Sequence, residues 1–387
     1  MRLARFLRGL GLHASRGEVE PAPRLHLMWI SAPMAVAALS AIGWVLYQLV
    51  LVSPTVRFTA PLQLVTTILA PTAVCGAVLS GVYAFRSRRH SQEDTAKPSA
   101  DQSYRTAVEQ LGHDQPAIRL AGLSAIAQLA DDWPKRRQQC IDTLCEYLRT
   151  PAETPPSAGE SMVRATLVQT ISEHLRDQSS KSWTMQSFDF TGAAFEDADF
   201  ADVTFSGRRT SFAKATFSGG RTSFARATFS GAVARFDQAT FSGGVARFDG
   251  TTFSGRHTTF GGATFSGWHA IFDGATFSGK YTNFGGATFS GWYTNFDGAT
   301  FSGTSTKFDR ATFSSKQTGF DGTTFSAKQT GFDRATFSGK HISFEGSIFS
   351  GGTTADEATV NSVFVGSTVL WGSLSRRPLP SAVRGST

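Results

Sequence analysis

The spacing of apolar residues along this chain changes twice, and each regime predicts a different kind of element. Leu27 to Val52 is a run of 26 residues without a charge, and Ala60 to Phe85 is a second run of 26. An apolar stretch of roughly 20 residues spans a bilayer as a helix. The pattern therefore predicts a two-helix transmembrane hairpin over 27–85. A secretory signal would have a shorter core and a small-residue cleavage site, which neither run has. From residue 104 the rhythm becomes that of short amphipathic helices. Tyr104, Ala107, Val108 and Leu111 fall at helical spacing, as do Leu123, Ile126, Ala127 and Ala130. Ile141, Leu144, Cys145 and Leu148 repeat the stripe, and Val163, Leu167, Ile171 and Leu175 begin a fourth. Each set marks one buried face of a helix. A helical segment over 104–178 is expected, serving as an interaction module or as a spacer and cap.

From Phe188 the period shortens. "FDFTG AAFED ADFAD VTFSG" is four consecutive five-residue units centred on Phe190, Phe195, Phe200 and Phe205. Beyond Gly207 the phenylalanines alternate seven and five apart, as in "ATFSGWYTNFDG" from Ala287 to Gly298. Each unit of 12 reads as ATFSG, two extra residues, then TNFDG. Twelve such units run from Val203 to Gly346. The five-residue units, a small residue two positions before a central Phe, resemble the pentapeptide-repeat family. That resemblance implies a right-handed β-helix whose central Phe and small residue point inward. The fold class expected for the chain is thus mixed: a transmembrane hairpin, a small all-α segment and a pentapeptide-repeat-like solenoid over 187–352. The insertions depart from the family pattern and leave two coil lengths open. Two units of 12 make a four-sided coil of 24 residues; one unit makes a flat coil of 12. Each Phe buries roughly 150–250 Å², and four rings fill a square section better than two fill a flat one, which favours 24. Gly at the second outward position suits tight corners, where φ turns positive. The stretch 353–374 breaks the pattern but stays β-prone and is expected to cap the last coil; 375–387 is expected to be a basic, disordered tail.

Charge refines the picture of the N-terminal third. Arg2, Arg5, Arg8, Arg16 and Arg24 precede the first apolar run, within a basic segment 1–26. Arg86, Arg88 and Arg89 follow the second, at the start of a polar linker over 86–103, and the loop between the runs has only Arg57. This bias places both termini in the cytoplasm of a multi-pass protein of the cell membrane, with the lipid bilayer as one partner. The order of hairpin, helical segment ("YRTAVEQLGHDQPAIRLAGLSAIAQLA", Tyr104 to Ala130) and Phe-rich repeat resembles membrane-anchored pentapeptide-repeat proteins of high-GC bacteria.

Candidate chemistry is confined to outward positions. The two-residue insertions vary most and hold Arg208, Arg209, Arg221, Arg256, His257, Trp268, His269, Lys280, Tyr281, Trp292, Tyr293, Lys316, Lys328, Lys340 and His341. If stacked, they make one or two basic and aromatic edges suited to a protein partner, or to phosphates and bases of a nucleic acid. Asp237, Asp249, Asp273, Asp297, Asp309, Asp321, Asp333 and Glu345 follow the second Phe of their units and predict an acidic stripe on another face. Lone carboxylates along a stripe are weak calcium ligands. Family members that mimic DNA are strongly negative. Here Lys181 to Gly352 holds 16 Lys plus Arg against 13 Asp plus Glu, which disfavours mimicry. The Thr-Phe-Ser rows invite an ice-binding reading that a cytoplasmic location argues against. Cys75, Cys140 and Cys145 make no disulfide framework or zinc pattern, and the last two fit core positions. No nucleophile–base set, phosphate loop or metal spacing occurs. The expectation is a non-enzyme without cofactors: a scaffold for an unidentified protein partner, with nucleic-acid binding or a purely structural role as alternatives, and homo-oligomerisation possible.

Overall fold

A computed structural model describes residues 101–152, 156–361 and 363–365. Both long apolar runs, and with them the hairpin and its orientation, lie outside the described residues, as does the tail. Among the described residues no helix is long and apolar enough to cross a membrane.

Four helices come first: α1 over 101–111, α2 Pro116–Asp132, α3 Arg137–Arg149 and α4 Ala158–Arg176. Pro116 opens α2, where its missing N–H costs nothing. Ser157 caps α4 by accepting the Glu160 amide. The four predicted stripes are buried against one another. Cys140 and Cys145 sit in this core as free thiols, and burial pushes their pKa values up, Cys140 to about 11.

From Phe188 onward the chain winds into a parallel β-solenoid of right-handed type. Four sheets form its sides: faces I and II of eight strands each, faces III and IV of seven. Face I contains the strands at Arg209–Ser211, His257–Thr259 and Tyr281–Asn283. Face III contains Arg221–Ser223, His269–Ile271 and Tyr293–Asn295. Faces II and IV consist of Thr-Phe strands such as Thr264–Phe265 and Thr276–Phe277. Register decides the coil length. Thr264 lies opposite Thr288, and His269 opposite Tyr293, each 24 residues on. The coil is therefore four-sided, with faces I and III opposed. Eight strands at about 4.8 Å spacing give a rod of roughly 34 Å.

Phenylalanine rings fill the interior as four columns. Within a column rings stack in parallel, as Phe260 on Phe284 at 4.7 Å and 1°. Between columns they meet edge-on, as Phe272 and Phe284 at 5.8 Å and 86°. Both arrangements suit the aromatic quadrupole.

The corners are of two kinds. Tight corners follow faces I and III and carry no insertion; there Gly298 and Gly322 adopt φ +65° and +62°. Widened corners precede faces I and III and hold the insertions. Most glycines of these corners are required for a different reason. A Cβ on Gly291 would stand 1.9 Å from the Gly267 carbonyl oxygen of the coil below.

The helices meet the first coil through side chains that bond its open backbone edge. Gln138 on α3 accepts the Ser187 N–H and donates to the Ser187 carbonyl. On α4, Ser172 donates to the Asp199 carbonyl and Arg176 to that of Ala201. Trp183 is fully buried, stacks on His174 and donates to Asp131. At the far end, Gly352–Thr354, Thr359–Val360 and Val363–Val365 extend three of the sheets by one more rung.

Candidate functional site

The insertions divide between the two opposed faces. Arg208, Arg209, Arg256, His257, Lys280, Tyr281 and Lys328 belong to the edge of face I. Arg221, Trp268, His269, Trp292, Tyr293, Lys316, Lys340 and His341 belong to face III. No single edge brings all fifteen together. Only the first residue of each insertion sits at the corner; the second opens the three-residue strand that follows, as Tyr293 does. Residues of one edge are rung neighbours. His257 stacks on Tyr281 at 5.0 Å, with the Lys280 ammonium 5.2 Å from that ring. On face III the Trp292 amide donates to the Trp268 carbonyl, and Lys316 lies 3.5 Å over the Trp292 ring. Trp268 remains 71% exposed and Trp292 53%, among the largest exposed apolar side chains described.

The carboxylates, expected as one stripe, form two, one at each tight corner. On face III the row Asp249, Asp273, Asp297, Asp321, Glu345 is unbroken. On face I, Gly261 and Gly285 interrupt it. Most of these carboxylates have a structural task. Asp297 accepts the Asp321 amide at 2.7 Å and Asp321 the Glu345 amide at 2.8 Å, tying each coil to the next. Asp309 and Asp333 do the same on face I.

Asp273 departs from this scheme. Ile271, two residues before it, offers no hydrogen bond, and on the rung above the Asp297 amide is taken by Asn295. The buried Oδ1 of Asp273 is left without a partner. Burial, then the neighbouring charges of Asp297 and Asp249, push its pKa up to about 6. Tyr293 is likewise raised by burial and by Asp297, Asp273 and Asp321.

Between the aromatic and acidic rows of face III runs a shallow groove of about 180 Å³. Tyr293, Gln317 and His341 line one wall, Asp297 and Asp321 the other, with Gly319 in its floor. Sequence reasoning took the acidic row as separate from the aromatic edge. The usable signal was the 24-residue spacing, which puts Arg247, Ile271, Asn295, Gly319 and Ser343 in one column between them. Among the described residues no group of three or more His, Cys, Asp or Glu could hold a metal ion.

Comparison with family models, with curated proteins and with solved structures found no match. The geometry of the solenoid, a parallel four-sided coil with Thr-Phe strands, is consistent with a pentapeptide-repeat fold.

Proposed function

We propose that the chain is a non-enzymatic interaction scaffold, tethered to the membrane through its N-terminal apolar runs, whose solenoid presents face III to a protein partner. The observation that carries this reading is the adjacent pair Trp268 and Trp292, held outward on neighbouring rungs of a rigid sheet. Exposed Trp costs a protein solubility, and Trp is the residue most enriched among binding hot spots. The solenoid spends no binding energy on ordering, because its backbone is fixed by the coils above and below.

The test is cross-linked capture on the full-length chain in its native membrane, with the captured protein identified by mass spectrometry. Replacing Trp268, Trp292 and Tyr293 by Ser should abolish recovery of that protein. Undiminished recovery would remove the face III edge from the account. A second reading, nucleic-acid binding, is favoured by one observation: Arg208, Arg256, Lys280 and Lys328 share the first insertion column of face I. Phosphate binding of that kind weakens steeply with salt, so failure to bind DNA or RNA at low salt would eliminate it.

A further inference from the structure

We infer that face III carries a row of carboxylate sites for the arginine or lysine side chains of an extended partner polypeptide. This rests on the scaffold reading and names the chemistry of its partner. The chain itself contains the template. Where the last residue of the three-residue strand is Arg, its guanidinium bonds the Asp two positions on. Arg235 reaches Asp237 at 3.0 Å, and Arg247 makes two bonds to Asp249 at 2.8 and 2.7 Å. On the next four rungs of face III that position is Ile271, Asn295, Gly319 and Ser343. Asp273, Asp297, Asp321 and Glu345 follow, and among the described residues none of the four has an ion-pair partner.

The surroundings suit a guanidinium or ammonium group. At Gly319 the missing side chain leaves room for the Asp297 carboxylate, whose Oδ1 would stand 2.5 Å from a Cβ there. A cation placed in the groove would face the carboxylates of Asp297 and Asp321 on one side and the Tyr293 ring on the other. Carboxylate pairing and the ring face both attract it. Lys316 over Trp292 shows the aromatic row of this face accepting a cation already. Four like charges about 4.8 Å apart also repel one another, and an incoming row of cations relieves that repulsion. Trp292, next to Tyr293 in the chain, supplies apolar contact that a polyamine could not use but a polypeptide can. Face I differs: Arg235 holds Asp237, Gly261 and Gly285 carry no carboxylate, and the remaining row of Asp309, Asp333 and Asp356 lines a groove with Lys307, Arg310 and Arg334 and no aromatic ring. The acidic row repels phosphates, so face III is unsuited to nucleic acid.

The experiment is fluorescence anisotropy with the full-length chain and a short labelled peptide of Arg, Leu and Ser. Its twin has citrulline, neutral and of the same shape, in place of Arg. The Arg peptide should bind at least about tenfold more tightly, as charge-assisted hydrogen bonds require. Asp297→Asn with Asp321→Asn should remove about that factor. Asn keeps the Oδ1 that accepts the amide of the next coil, so the fold is spared, which circular dichroism checks. Asp309→Asn with Asp333→Asn, on face I, should leave binding unchanged. Equal affinity for the two peptides, an equal loss from the face I variant, or binding of spermine without the Arg peptide would each overturn the proposal. If the peptides bind alike while Trp268→Ser with Trp292→Ser still abolishes partner capture, the cation row falls and the scaffold reading stands. If the Trp variants also leave capture intact, both fall.

Discussion

At the scale of single residues, one carboxyl of the face III row stands apart from its neighbours. Asp297 and Asp321 each bond the amide of the next coil through Oδ1. Asp273 has no such partner, and its pKa stands at about 6 against an ordinary value of 3.8. A folded-state pKa above the unfolded one means that ionisation is harder in the folded chain. The protein therefore loses stability, relative to a variant without the charge, as pH rises from about 4 to 6. Asp273→Asn should melt above the parent at pH 7.5, with the two curves converging below pH 4, in thermal unfolding followed by circular dichroism. An unchanged gap across that range would mean Asp273 titrates normally. This carboxyl was invisible in the sequence. It reads as one more member of an acidic row, and only the register reveals that Ile271 and Asn295 leave it without a partner.

Among elements, the strands owe little to intrinsic preference. Two residues of Thr-Phe make a weak strand in isolation, and each is fixed by ring stacking above and below and by the amide ladder. In such a stack stability is a nearest-neighbour property. Phe284 is packed between Phe260 and Phe308 at 4.7 and 5.0 Å, whereas among the described residues Phe349 has a stacked neighbour on one side, Phe325. Phe284→Ala should cost about 3–5 kcal/mol. Phe349→Ala should cost less than half of that, read as the shift in urea midpoint. The Phe columns were legible because an inward residue must recur at fixed spacing. The corner glycines were legible as punctuation only. Whether a given Gly serves a positive φ, as Gly298 does, or a close carbonyl approach, as Gly291 does, depends on a coil 24 residues away. The helical stripes were equally plain, but the bonds from Gln138, Ser172 and Arg176 to the first coil were not, because they join residues with no shared period.

Over the whole molecule, the repeat of 12 conceals a coil of 24. Consecutive insertions therefore never meet. Trp268 and Trp292 share face III, while Lys280, midway between them in sequence, lies on face I. That separation is what turns a monotonous sequence into two chemically distinct surfaces, one aromatic and acidic, the other interrupted and more basic. Every functional statement above depends on it. Paired cysteines measure it directly. Stacked strands place neighbouring rungs about 4.8 Å apart, within the Cα range a disulfide accepts. Trp268→Cys with Trp292→Cys should form a disulfide on mild oxidation of the folded chain, identified by peptide mapping. Trp268→Cys with Lys280→Cys should remain reduced under the same conditions. Disulfide formation by the 268–280 pair in place of 268–292 would establish a 12-residue coil and contradict the account.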